Sequence, residues 1–125
     1  MNPYETQSEL LKALAHPTRL AILDILREGE QCVCHMEATL ALRQAYISQQ
    51  LMILKNAGLV EPRRDGLNLY YRILKPEVFR LLDAAVSVTG VPAQRPSHEH
   101  AEVECPCPKC NAKTEGVLVQ VTMKG

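Results

Sequence analysis

The chain has 125 residues, 46% of them apolar, which suits one modest domain around a single core. No apolar run approaches the roughly 20 residues of a membrane-spanning helix, and the N-terminal residues lack the basic and apolar segments of a signal peptide. We therefore expect a cytoplasmic protein that contacts no membrane. The length leaves no room for a large enzyme with a cofactor-binding domain, and we predict that the protein is not an enzyme.

The net charge is zero, but the charges are unevenly distributed along the chain. Residues 1–42 carry three basic and six acidic side chains, whereas residues 43–75 carry six basic and two acidic ones. The basic residues of this middle segment are Arg43, Lys55, Arg63, Arg64, Arg72 and Lys75. A local basic patch on a neutral chain favours contact with a specific polyanion, although a solvated surface gives the same pattern.

Apolar spacing predicts four helices in the first half of the chain. They cover residues 6–15, the segment from Pro17 to a cap at Gly29, residues 33–42 and residues 44–56. Pro17 suits the first turn of its helix, and Gly29 suits the position just after a helix ends. Ala57 and Gly58 end the fourth helix.

The apolar period then changes from helical to alternating. Residues 67–73 alternate between apolar and more polar side chains, with Leu67 on the apolar face, which predicts a half-buried strand. The Asp65-Gly66 dipeptide before this strand is a typical hairpin turn. Residues 60–64 form the partner strand, and Pro62 marks that strand as a sheet edge.

Helical spacing returns after Pro76, and Gly90 ends this last helix. Its apolar stripe includes Leu81, Leu82 and Ala85. A domain of about 90 residues leaves such a stripe uncovered, so we predict that these three residues lie at a dimer interface.

The order of elements is helix, helix, short helix, longer helix, hairpin and helix. This order predicts a mainly α fold with a two-stranded β wing, the winged helix-turn-helix, in which the fourth helix enters the major groove of DNA. The basic segment covers the same elements, where phosphates must be neutralised. We therefore predict a DNA-binding and dimerisation domain at residues 1–90 and a Cys-, His- and Pro-rich, metal-binding tail at residues 91–125.

Several motifs of the chain resemble the ArsR/SmtB family of metal-responsive winged-helix repressors over residues 5–88. The motifs are Ala15-His16-Pro17-Thr18-Arg19, Cys32-Val33-Cys34, Ile47-Ser48-Gln49-Gln50-Leu51, Ala57-Gly58-Leu59-Val60 and Arg63-Arg64-Asp65-Gly66. The resemblance implies a homodimer joined through its first and last helices. It also implies a repressor that binds double-stranded operator DNA and releases it when a metal or metalloid binds.

The predicted DNA contacts fall into two groups. Residues suited to base edges near the start of the fourth helix are Gln44, Tyr46, Ser48 and Gln49. Candidates for phosphate or wing contacts are Arg43, Lys55, Arg63, Arg64 and Arg72. The apolar residues Ile47, Leu51 and Leu54 are predicted to lie in the core. Tyr70 and Tyr71 favour packing within the wing, with stacking on DNA as the alternative.

Cys32 and Cys34 resemble the thiolate motif of the arsenic-, cadmium- and lead-responsive branch of the family. A further cysteine usually follows in the arsenic pattern, and Glu37 stands at that position here. The zinc pattern of the last helix is also missing, because alanines follow Asp83. Residues two apart on a regular helix point about 200° apart, so Cys32 and Cys34 share an ion only where the turn is distorted. The alternative is a purely structural role, in which both cysteines are buried and unreactive.

Two thiolates leave a metal shell incomplete, and the tail holds three more, at Cys105, Cys107 and Cys110. These three thiols are candidate inducer ligands, which complete the Cys32 and Cys34 site or form a second site. They also fit a structural zinc site or a reactive tail without a fixed ligand role. His98 and His100 favour a solvated position over metal ligation.

We therefore predict a repressor released from its operator by a thiophilic metalloid, with arsenic(III) or antimony(III) first. Cadmium, lead or zinc is the alternative inducer, and a thiol redox sensor is the alternative mechanism. An architectural DNA binder stabilised by zinc is a further alternative. A catalytic pairing of Cys34 with His35 is disfavoured, because adjacent helical residues point about 100° apart.

Overall fold

The computed structural model describes residues 1–93, so the predicted tail and its cysteines lie outside the described residues. Within this range the helices α1 to α5 are Pro3–Leu14, Pro17–Ile25, Val33–Leu40, Gln44–Asn56 and Val78–Thr89. The strands β1 to β3 are Gln31–Cys32, Val60–Asp65 and Asn68–Ile73, and a 3-10 turn at Leu26–Glu28 follows α2. This order confirms the predicted winged helix-turn-helix.

Polar caps decide where the first two helices begin. The Asn2 side chain accepts a hydrogen bond of 2.8 Å from the backbone amide of Glu5, so α1 begins three residues before its predicted start. His16 caps α2 in the same way, because its Nδ1 atom accepts a bond from the amide of Thr18. Pro17 occupies the first turn of α2, as predicted.

The helix-turn-helix consists of α3, a three-residue turn and α4. The predicted end of α3 at residue 42 was wrong, because Ala41 has a φ of +53° and ends the helix at Leu40. The predicted bounds of α4 are confirmed at both ends. Gly90 follows α5 with a φ of +72°, and the predicted end of the last helix is also confirmed.

The sheet is antiparallel and has the strand order β1–β3–β2. The short strand β1 was not predicted, because a strand of two residues is too short to show an alternating apolar pattern. Pro62 lies on the edge strand β2, as predicted. The alternation predicted for β3 was wrong in two respects: Leu67 is 99% exposed at the turn, and Tyr70 and Tyr71 are both buried. The start of α3 packs against Tyr70 and covers the face that was expected to meet solvent.

One core joins all five helices to the sheet. Its fully buried side chains include Ile22, Leu23, Met36, Ile47, Leu51 and Leu54, the last three as predicted. Leu82 belongs to this core with 8% exposure, so its predicted place at a dimer interface was wrong. Leu81, one residue earlier on α5, is 40% exposed. In the described part of the chain, no helix has the length and hydropathy needed to cross a membrane.

Candidate nucleic-acid interface and cysteine pair

The reading helix α4 presents a polar face to solvent. Gln44, Ser48 and Gln49 are exposed on its first two turns, while Ile47 and Leu51 point into the core. Glutamine side chains can pair with adenine through two hydrogen bonds, and a serine hydroxyl can donate to or accept from a base edge. The structure thus leaves these three predicted base contacts accessible.

Tyr46 occupies a different flank of α4 and is half-buried. Its hydroxyl lies 3.3 Å from Nε2 of His16 and 3.4 Å from Oγ1 of Thr18, both at the start of α2. The Tyr46 hydroxyl therefore already has hydrogen-bond partners within the protein. The geometry therefore favours a role for Tyr46 in holding α4 against α2 over the predicted base contact.

A second polar contact holds the same two helices. Nη1 of Arg19 in α2 donates to Oε1 of Gln50 at 2.9 Å, and Gln50 is buried in α4. Nη2 of Arg19 donates to the carbonyl oxygen of Lys12 at 3.3 Å, near the end of α1. This role of Gln50 was not predicted, although a glutamine on the core side of the apolar period was a signal for it.

Three of the predicted phosphate contacts are accessible. Arg43 is the residue just before α4, Lys55 lies in the last turn of α4 and Arg64 lies in the wing, which is the β2–β3 hairpin. All three side chains are exposed, and none forms an ion pair within residues 1–93. They lie where a helix in the major groove would bring phosphates close.

The other two wing arginines are held by carboxylates. Nε of Arg63 donates to the two carboxylate oxygens of Glu30 at 2.9 and 3.1 Å, and these hydrogen bonds raise the pKa of Arg63. Its guanidinium also lies over the Tyr70 ring, 4.9 Å from the centroid. Arg72 pairs with Glu61 across the wing. Neither Tyr70 nor Tyr71 is exposed enough to stack on DNA, and burial raises the pKa of Tyr71.

Cys32 and Cys34, called the cysteine pair below, form a disulfide with a Cα–Cα distance of 5.3 Å. Cys32 precedes α3 in an extended conformation, with φ −80° and ψ 154°, and Cys34 lies in the first turn. Because Cys32 is outside the helix, the 200° separation expected on a regular helix does not apply. The Cys32 sulfur also accepts a hydrogen bond of 3.1 Å from the amide of His35.

The described residues offer the cysteine pair no third metal ligand. Among residues 1–93, no three His, Cys, Asp or Glu side chains converge as a metal site. The tail thiols predicted as ligands, Cys105, Cys107 and Cys110, lie outside that range.

On α5, the Asp83 carboxylate accepts a hydrogen bond of 2.8 Å from Arg27. Burial lowers the pKa of Arg27, but its hydrogen bonds to Asp24 and Asp83 raise it overall.

These elements define a class of protein. An exposed amide-bearing helix forms the second half of a helix-turn-helix, and a basic β-hairpin stands beside it. This arrangement is that of a winged helix-turn-helix DNA-binding protein.

Comparison with known proteins identifies the family. The family described as "Bacterial regulatory protein, arsR family" matches residues 16–62. A biofilm growth-associated repressor of Agrobacterium fabrum is 40% identical over 85 residues, which are 68% of this chain and 73% of the relative. The chain therefore belongs to the arsR family, and the resemblance seen in its motifs is confirmed. Relatives of this kind are DNA-binding regulators, which confirms that the protein is not an enzyme.

Two solved structures show the same fold. A homodimeric winged helix-turn-helix DNA-binding domain from Mycobacterium bovis has 37% identity and a TM-score of 0.62, covering 70% of this chain and 81% of that chain. Reduced HlyU from Vibrio cholerae has 30% identity and a TM-score of 0.62, covering 68% of this chain and 90% of that chain.

Proposed function

We propose that the protein is a homodimeric transcriptional repressor that loses affinity for its operator DNA when the cysteine pair forms a disulfide. Family membership and the related Agrobacterium repressor support the regulatory role. The homodimeric Mycobacterium bovis domain supports the assembly. The DNA contacts come from the exposed face of α4 and from the wing.

One observation carries this proposal: the two sulfurs of the cysteine pair are bonded where β1 passes into α3. Helix α3 is the first half of the helix-turn-helix and packs against the reading helix α4. A bond between Cys32 and Cys34 constrains the first turn of α3, and the dithiol form removes this constraint. The disulfide or dithiol state of the cysteine pair therefore affects α3, which lies next to the DNA-reading helix α4.

A hydroperoxide is a suitable oxidant for this step. The two thiols lose two protons and two electrons as the sulfur–sulfur bond forms, and the oxygen–oxygen bond of the hydroperoxide breaks to give an alcohol and water. Exchange with a thiol reductant reverses the reaction. A relative, Vibrio cholerae HlyU, is described by its redox state, as reduced.

A trivalent arsenical is the second candidate effector, favoured by the meeting of two sulfurs at one point. The dithiol form supplies two ligands, and arsenic(III) or antimony(III) takes a third thiolate, for which Cys105, Cys107 and Cys110 are the candidates. Cadmium, lead and zinc need three or four ligands, so they depend still more on the tail.

The test uses operator DNA selected from a random library with the reduced protein. Fluorescence anisotropy at fixed salt then follows the complex during titration with cumene hydroperoxide, arsenite, cadmium and zinc. We expect hydroperoxide to lower operator affinity about tenfold or more, a coupling of about 1.4 kcal/mol, and dithiothreitol to restore it. The Cys32→Ser and Cys34→Ser variants should not respond.

The outcomes separate the candidates. Release by arsenite without release by hydroperoxide would favour the arsenical. Unchanged affinity with all four reagents would show that the cysteine pair is not a sensor.

A further inference from the structure

A row of side chains crosses the sheet from the cysteine pair to the wing. Cys32 in β1 lies opposite Tyr70 in β3, and Tyr70 lies opposite Arg63 in β2. Residues directly opposite each other in antiparallel strands lie on the same face and contact each other. The row therefore joins the sensor residue to a wing arginine through one aromatic ring.

The contacts along this row are close. Cys32 and Tyr70 are 1% and 5% exposed and form a buried cluster, against which Cys34 packs. The Arg63 guanidinium lies 4.9 Å from the centre of the Tyr70 ring. A shift of Cys32 consequently meets Tyr70 first and Arg63 next, without passing through α4.

Glu30 makes a second connection to the same arginine. It lies two residues before Cys32 and receives hydrogen bonds from both Nε and Nη2 of Arg63, at 2.5 to 3.1 Å. Because β1 has only two residues, Glu30 is attached directly to the segment that the disulfide constrains. These two connections of Arg63 therefore lead back to the chain around Cys32, and a longer contact of 3.9 Å joins its Nη1 to the exposed Asp65 carboxylate at the wing turn.

We propose that Arg63 is a positioning residue that carries the state of the cysteine pair to the DNA. In the disulfide form, Glu30 and Tyr70 hold its guanidinium. In the dithiol form, the segment around Cys32 relaxes and Arg63 turns to a DNA phosphate. This inference rests on the proposed function and adds the wing as the route of regulation.

The change has a defined electrostatic consequence. A guanidinium bound to a carboxylate does not neutralise a phosphate, so it releases no counterion from the DNA. Each Arg63 that reaches a phosphate steepens the dependence of log affinity on log salt by about 0.9. A dimer with two such arginines should show a slope about two units steeper in the dithiol form than in the disulfide form.

The decisive variant is Glu30→Gln, which keeps the shape of the side chain and removes its charge. We expect the disulfide form of this variant to gain about fivefold in operator affinity, the range of an exposed ion pair. The difference in salt slope between its two forms should disappear. The Glu30 side chain is 26% exposed, so the variant should fold, and thermal melting checks this.

A matched control is Glu61→Gln. This change removes the same charge from the other carboxylate–arginine pair of the wing, which joins Glu61 to Arg72. Since that pair is not part of the row, the control should keep the full slope difference between the dithiol and disulfide forms. Arg63→Ala should lower the affinity of the dithiol form and also remove the difference.

The measurements distinguish two failures. If the wild-type protein binds operator equally well in both forms, the proposed function fails and this inference fails with it. If wild-type affinity differs between the forms but the salt slope does not, or if Glu30→Gln keeps the wild-type slope difference, only the wing route is overturned. Mass spectrometry of trapped thiols defines the form present in each titration.

Discussion

The guanidinium of Arg19 donates a hydrogen bond of 2.9 Å to the side-chain oxygen of Gln50, which joins α2 to the buried side of the reading helix. The same guanidinium bonds the carbonyl oxygen of Lys12 near the end of α1. Together with the contact between His16 and Tyr46, this bond holds α4 at a set angle to the N-terminal helices. The orientation of the DNA-reading face thus depends on partly buried polar contacts as well as on the apolar core.

Replacing Gln50 tests this dependence. Gln50→Leu removes the acceptor of the Arg19 guanidinium, and we expect the free energy of unfolding to fall by about 1.5–3 kcal/mol, the contribution of a hydrogen bond to a charged group. Urea denaturation measures the change. The control Gln49→Leu alters an exposed neighbour, so it should weaken operator binding and leave stability nearly unchanged. A Gln50→Leu protein as stable as wild type would show that the bond contributes nothing.

Arg64, the wing arginine without an ion pair among residues 1–93, should bind phosphate. Arg64→Ala should reduce the slope of log affinity against log salt by about 0.9 per subunit, because one phosphate contact is lost. Anisotropy titrations between about 50 and 200 mM salt measure this slope. Arg80→Ala removes the same charge from an exposed position on α5, outside α4 and the wing, and should leave the slope unchanged. An unchanged slope for Arg64→Ala would remove that residue from the DNA contacts.

Neighbouring leucines of α5 should have different roles. Leu82→Ala should lower the free energy of unfolding by about 2–5 kcal/mol, because Leu82 lies in the core of its own chain. Leu81 instead lines an apolar groove of about 550 Å³ with Leu10 and Val78. We expect Leu81→Glu to produce folded monomers in analytical ultracentrifugation.

The control for the dimer experiment is Leu67→Glu at the exposed wing turn, which should remain dimeric. A dimeric Leu81→Glu protein would place the interface elsewhere.

The tail thiols should matter for arsenite and not for an oxidant. Replacing Cys105, Cys107 and Cys110 with serine should weaken the arsenite response, since the cysteine pair supplies only two of three sulfurs. A monomethylated trivalent arsenical needs two sulfurs and should act with unchanged affinity, as should hydroperoxide. Operator release measures all three responses. Arsenite affinity and stoichiometry equal to those of the wild type would exclude the tail as a ligand.

Local patterns predicted the elements whose residues lie close together in the chain. The 3.6-residue period of Ile47, Leu51 and Leu54 located α4, and Ala57-Gly58 marked its end. The Asp65-Gly66 turn located the wing. The start of α1 was predicted three residues late, because its Asn2 cap and Pro3 precede the apolar pattern. Periodicity detects a buried face, and it does not detect a polar cap.

Short-range spacing and motifs were enough to predict the winged helix-turn-helix and the family, and a sensing role for Cys32 and Cys34 stays a prediction. Among residues 1–93, the three-dimensional fold was needed to show which wing arginine has no ion pair and which is held by a carboxylate. Arg63 and Arg64 are adjacent and identical in type, yet Arg63 binds Glu30, which is 33 residues away. The tertiary structure likewise places Leu82 in the core and Tyr70 against Cys32. Partners distant in the chain meet only when the strands take their register, and no local period encodes that register.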